Sequence, residues 1–247
     1  MKILAVEFST AQRSAAVWDE NNPSGGANSC EPHNSSLALL SVVIEPPAPP
    51  KTQRGAFPTQ RSLSLVAEAL QKANCAKEEI EIIAVGLGPG SYTGIRGGIA
   101  LAQGWQLGRG VNLLGISTVE CLAAQALAAG RRGLINIVID AQRNEFYLAG
   151  YEIGDGSYRE TEPLRLAPAA EIQALAATGQ ALLGPETAKW FPGAEDLYPD
   201  AAILGRLACD RRDFVPGEKL EPIYLRETAF KKAPPPRPMP SIPSPLS

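Results

Sequence analysis

Two carboxylates stand where an apolar run gives way to a turn: Glu7 in "ILAVEFST" and Asp140 in "LINIVIDAQ". A carboxylate in that position can hold a magnesium ion against a nucleotide phosphate, or it can equally be a buried structural carboxylate. Both readings stay open for both residues. Between them lies "GLGPGSYTGIRGGIALAQG", Gly86 to Gly104, a segment with the look of a phosphate-cradling loop. Its spacing excludes three familiar chemistries. A Walker A loop needs GxxxxGK[ST], and no lysine follows any of these glycines. The dinucleotide fingerprint GxGxxG meets Ser91 when begun at Gly86 and Thr93 when begun at Gly88. The nucleophile elbow GxSxG fails because Tyr92 and Thr93 follow Ser91. What remains is a strand–turn–helix junction. Gly88 and Gly90 flank Pro89, and Ser91 or Thr93 can cap the helix that follows. A helix N-terminus attracts anions, but a loop that only turns the chain is the more economical reading.

Other chemistries are excluded by inventory. The chain has one histidine, His33, in "NSCEPHNSS". A two-histidine metal site cannot be built from it, and a Ser-His-Asp triad would depend on a residue in a proline- and serine-rich stretch. Cys30, Cys75, Cys121 and Cys209 form no CxxC pair, so reduced thiols are expected rather than a disulfide frame or a zinc site. No metal ligand set is predicted. The net charge is -3 over 247 residues, so no global basic field draws nucleic acid. Arg131-Arg132, Arg211-Arg212 and Lys231-Lys232 read as local surface pairs. The opening apolar run is too short for a signal peptide and Glu7 interrupts it. No run approaches the roughly 20 apolar residues of a membrane span.

The elements that must position these residues follow from periodicity. "KILAVEFST" reads as a buried strand with "SAAVWDE" as its hairpin partner. Residues 20–60 hold Pro, Gly, Ser and Asn and read as an irregular insertion, within which "LALLSVVIE" could be a third strand. Helices are expected over "TQRSLSLVAEALQKAN", from about Thr93 to Gly108, over "TVECLAAQALAAG", "APAAEIQALAATG" and "AAILGRLACDRR". Strands are expected at "EIIAVGLG", "GVNLLGIS", "LINIVIDAQ", "EFYLAGYEI" and "ALLGPE". The order hairpin, helix, strand, helix, strand, helix is followed by a second hairpin, helix, strand and helix. That predicts two related α/β lobes with mixed sheets, 1–112 and 113–232. The proline-rich tail 233–247, "APPPRPMPSIPSPLS", should be disordered in isolation.

Four segments taken in order resemble the bacterial TsaB family, also called YeaZ: "ILAVEFSTAQRSAAVW", "GLGPGSYTGIRGGIALAQG" with "LLGISTVECLAA", "IVIDAQRNEFYLAGY" and "EPIYLRETAFKK". The resemblance covers nearly all of the chain outside 20–60 and the tail. It implies the actin-like ATPase fold, a ribonuclease H-like architecture of two lobes shared with sugar kinases and heat-shock chaperones. It implies a cytoplasmic, non-catalytic subunit in the making of threonylcarbamoyladenosine beside the tRNA anticodon. The implied partners are a homologous catalytic TsaD subunit and a TsaE ATPase. A homodimer is expected when the chain is alone, with tRNA met only through the complex and no membrane involved. Glu7, Ser9, Thr10 and Asp140 would then be a vestigial nucleotide site, with no tightly bound cofactor and any ATP or ADP belonging to the complex. Related TsaD subunits carry two metal-binding histidines where this chain has Thr118 and Leu122. Glu7 also departs from the aspartate usual in the family's first motif. An active kinase or ATPase of the same fold is the alternative; the older peptidase label has almost no chemical support here.

The helix after the loop carries Gly94, Gly97, Gly98, Gly104 and Gly108, each costing about 1 kcal/mol against alanine. Such a helix makes sense where something packs close to its backbone. One face can enter the core and the other can meet a second helix, of the same chain or of a partner; Gly94, Gly97, Gly98, Leu101 and Trp105 are predicted to meet a homologous subunit.

Overall fold

The computed structural model describes residues 1–20, 37–46 and 58–225. His33, Cys30 and the tail 233–247 lie outside them. The described chain forms two mixed five-stranded sheets with the same strand order. In the first, β1 (Lys2–Glu7), β2 (Arg13–Asp19) and β3 (Ala38–Glu45) are antiparallel neighbours, and β4 (Ile80–Gly86) and β5 (Asn112–Ile116) continue parallel to β1. The order is β3-β2-β1-β4-β5. In the second, β6 (Gly133–Asp140), β7 (Glu145–Ile153) and β8 (Tyr158–Pro168) form the meander, and β9 (Ala181–Gly184) and β10 (Glu195–Asp196) run parallel to β6. Its order is β8-β7-β6-β9-β10, the same pattern one lobe later. This is the α/β architecture of two related lobes predicted from the order of elements.

Apart from the edge strands β8 and β10, the strands are largely apolar because both faces are covered. Leu4, Val6, Ile83 and Val85 enter a core under α1 (Pro58–Lys72) and α2 (Tyr92–Arg109). Their neighbours Ile3, Ala5, Ile82 and Ala84 enter another core, under α5 (Ala201–Cys209). The second sheet alternates likewise: Ile135, Ile137 and Tyr147 meet α3 (Thr118–Ala128), whereas Val138, Phe146 and Leu148 lie with Ile172 of α4 (Ala169–Ala177). Period-2 alternation thus serves two cores per sheet.

Besides β8 and the two-residue β10, charge-rich strands that periodicity does not mark, three features differ from the periodicity reading. The run within residues 20–60 is a real strand: β3 pairs along β2, with Val43 opposite Ala15, and Ser41 donates to the Ala69 carbonyl of α1 at 2.7 Å. Its β-branched residues and half-covered face outweigh the flanking prolines. A cut at 112/113 passes through β5, which belongs to the first sheet. And α5, late in the chain, returns to that first sheet. Trp18 Nε1 donates to Ala202 O at 3.0 Å, Ala201 N–H donates to Ser14 Oγ at 2.9 Å, and Gly205 leaves room for the Trp18 ring. The lobes are also tied through Glu120 on α3, which accepts from Tyr158 of β8 at 3.2 Å and pairs with Arg211 just past α5.

Candidate functional site

β1 ends at Glu7, whose carboxylate has no exposed surface. The chain then turns, and Ser9 N–H donates back to Glu7 Oε1 at 2.8 Å. β4 and β5 bring two more groups to the same point. Gly86, last in β4, leaves space that the carboxylate fills; a Cβ there would lie 2.0 Å from Glu7 Oε2. Thr118, first in α3, places its hydroxyl 3.4 Å from Glu7 Oε2 and 3.1 Å from Ser9 Oγ. Ser9 and Thr118 are themselves buried. Burial pushes the Glu7 carboxyl above the usual carboxylate range, opposed by the hydrogen bonds from Ser9 and Thr118. The result is a closed polar knot joining β1, β4 and α3.

Thr10, also buried, turns away and donates to Gln12 O at 2.7 Å, closing the hairpin turn. Asp140 ends β6 of the other lobe, is exposed, and accepts from Gln142 N–H at 2.7 Å. Glu7 and Ser9 are thus brought together. Thr10 and Asp140 each close a turn of their own.

The glycine loop is bonded into the fold. The Gly88–Pro89 peptide is cis. Leu87 N–H donates to Ile116 O at 2.9 Å, Thr118 N–H to Gly88 O at 2.8 Å, and Ser91 N–H to Ser9 O at 2.5 Å. Ser91 Oγ caps α2 by accepting from Gly94 N–H at 3.3 Å. Several amides that an anion would use therefore serve internal bonds.

The predicted contact residues of α2 divide by helical phase. Gly94 and Gly98 face inward, which corrects their assignment to a subunit interface. A Cβ at Gly94 would sit 1.9 Å from Phe8 O, and one at Gly98 would crowd Val85 at 3.3 Å. Their missing side chains let α2 lie against the turn that follows β1. Gly97 has open space above it. Leu101 and Trp105 are half-buried against the first core. The outward row continues through Ala100, Gly104, Leu107 and Gly108, with Leu107 90% exposed.

Sequence reasoning missed two groupings. Thr118 lies far from Glu7 along the chain, and no spacing signals their contact. Tyr92 and Tyr224, far apart along the chain, stack with ring centroids 5.5 Å apart.

The positions matching the related histidines test whether a metal fits. Leu122 is fully buried in the apolar core under the second sheet, and the Thr118 hydroxyl is engaged in the polar knot. An isobutyl group offers no donor atom, so this pair does not fit a metal. Among the described residues no three His, Cys, Asp or Glu side chains converge as a ligand set.

Comparison with known proteins places the geometry. The family model for TsaD, tRNA N6-adenosine threonylcarbamoyltransferase, matches residues 58–188. The tRNA threonylcarbamoyladenosine biosynthesis protein TsaB of Escherichia coli is 29% identical over 254 residues, covering 95% of this chain and 99% of that protein. The Haemophilus influenzae TsaB is 28% identical, covering 71% of this chain and 83% of its own length. A crystal structure from Pseudomonas aeruginosa, described as an uncharacterized protein with similarity to peptidase YEAZ, superposes with a TM-score of 0.69 at 25% identity, over 91% of this chain and 99% of that one. The YeaZ structure from the same organism gives 0.68 at 24% identity, a likeness of fold. With two mixed sheets of matching order, the fold is the actin-like one with two lobes. The chain belongs to the TsaD-type family, in its TsaB (YeaZ) branch.

Proposed function

We propose that this chain is a non-catalytic subunit of the system that transfers a threonylcarbamoyl group to adenosine in tRNA, beside the anticodon. The observation that carries the reading is the pair Thr118 and Leu122. Where a catalytic relative needs imidazoles, this chain has one hydroxyl committed to Glu7 and one apolar side chain committed to the core. A second support is Glu7, the carboxylate that a kinase or ATPase would need for magnesium. It lies sealed, with Ser9 and Thr118 filling its hydrogen-bonding sites, and that disfavours the kinase alternative.

The partners are then a TsaD-like catalytic subunit and a TsaE-like ATPase, with nucleotide and tRNA handled by the assembly, in the cytoplasm. No described helix is long and apolar enough to cross a membrane. The outward row of α2, centred on Gly97 and continuing to Leu107, supplies the face for a homologous subunit or a second copy. Its small residues let another helix come close, and Leu101 and Trp105 stiffen it from beneath.

Reconstitution tests this. Threonylcarbamoyladenosine formation by the TsaD-like and TsaE-like proteins of the same cell should fall at least tenfold when this chain is omitted. Adding Glu7→Gln or Thr118→Val protein, folded normally, should restore it to within about twofold. Restoration by wild type alone would make Glu7 or Thr118 catalytic and overturn the reading.

A further inference from the structure

The described chain ends on an exposed aromatic face. Tyr92 opens α2, and Tyr224 lies in the closing segment, which Ile223 N–H fastens to Leu87 O at 2.9 Å. The two rings are 20° from parallel, and the Arg96 guanidinium sits 5.2 Å from the Tyr92 ring centroid. Tyr92 is 59% exposed, Tyr224 41% and Leu225 39%. Apolar area is left uncovered here, with the Arg96 guanidinium over the Tyr92 ring.

Flat aromatic faces of this kind suit a proline-rich strand. Pyrrolidine rings pack on tyrosines, and the strand's free carbonyls accept from hydroxyl and guanidinium donors. Such a strand starts from already extended conformations, so it gives up little entropy on docking. This chain carries a proline-rich sequence a few residues beyond that face. Beyond Leu225 come residues 226–247, with "APPPRPMPSIPSPLS" from Ala233. The stretch from Leu225 to the first proline can span up to about 30 Å when extended. Its root-mean-square reach is about 17 Å. Attachment at the edge of the face holds the prolines near it at an effective concentration in the millimolar range.

We propose that the proline-rich segment 233–247 folds back within the same chain and docks on the face formed by Tyr92, Tyr224 and Leu225 beside Arg96. Pro234–Pro236 and the stretch around Met239 supply the packing surface, and Arg237 adds a second flat partner for a tyrosine ring.

The chain has two methionines, Met1 and Met239. Labelling their methyl groups with carbon-13 in the full-length protein gives one NMR signal in the segment and one in the folded body. The Met239 methyl should be displaced upfield by the tyrosine rings relative to a free peptide of residues 226–247. Tyr92→Ala and Tyr224→Ala should each reduce that displacement, while an unmoved Met1 signal reports that the fold is intact. The displacement should hold on dilution. A Met239 signal at the free-peptide position overturns the proposal, as does a displaced signal indifferent to both substitutions. A displacement that fades on dilution puts the segment on a second copy and overturns docking within the chain.

Discussion

The two lobes end their opening strands in the same way. β1 stops at Glu7, which accepts from the backbone N–H of Ser9; β6 stops at Asp140, which accepts from the backbone N–H of Gln142. In each case a carboxylate closes the turn two residues on. The surroundings differ. Around Glu7, Gly86 and Gly94 have no Cβ, so a strand end and a helix press against the turn, and Thr118 closes the space above it. Around Asp140 the carboxylate stays in water. A repeated turn has become part of the core in one lobe and remained surface in the other. The difference lies in neighbours rather than in the turn.

The largest effect should come from pushing the first turn open. Gly94→Ala places a methyl 1.9 Å from Phe8 O. The backbone must shift, and a loss of about 3 kcal/mol is expected in chemical denaturation of the full chain. An unchanged midpoint would mean that the first turn is no more tightly held than the second.

Removing each carboxylate separates the lobes next. Glu7→Ala should cost about 2–4 kcal/mol, because it leaves a cavity and strands the Ser9 N–H and Thr118 hydroxyl. Asp140→Ala should cost under about 1 kcal/mol, since water can replace an exposed acceptor. Equal losses in urea titrations would break the comparison.

The smallest effect is one of pH. The folded Glu7 carboxyl titrates above its ordinary value because it is buried. Between the two values the native state holds a proton that the unfolded chain has lost. Stability contributed by this group therefore falls as pH rises through that window, then levels off. Glu7→Gln should flatten this part of the profile and stabilise the protein above it. Asp200, also raised by burial, keeps some slope in that variant. Denaturant midpoints between about pH 4 and 8 would show the difference.

Much of the fold was legible because both sheets are covered on both sides. Runs such as "ILAV", "EIIAV" and "INIVI" read as strands without any partner in view. β3 was only half legible, since prolines close behind it point to loop while its pairing with β2 decides otherwise. The glycines of α2 gave the helix but not its phase. Gly94 and Gly98 belong inside because α2 runs against Phe8, a fact of tertiary approach. Glu7 stood out at a strand end, but its burial depends on Thr118, which the fold alone brings near. Tyr92 and Tyr224 carry no shared pattern at all.

The return of α5 to the first sheet has a meaning for synthesis. β1 and β2 are among the first residues to be made, yet one face of their sheet is covered by Ala201–Cys209. A growing chain must carry Ile3, Ala5, Ala16 and Trp18 without that cover while the whole second sheet is translated. Folding one lobe at a time, as the chain emerges, leaves the first lobe unfinished until late. Contacts this distant along the chain also slow the search for the native state. A ribosome-bound fragment ending before Ala201 should present a sticky apolar sheet face, the kind of surface that nascent-chain chaperones hold.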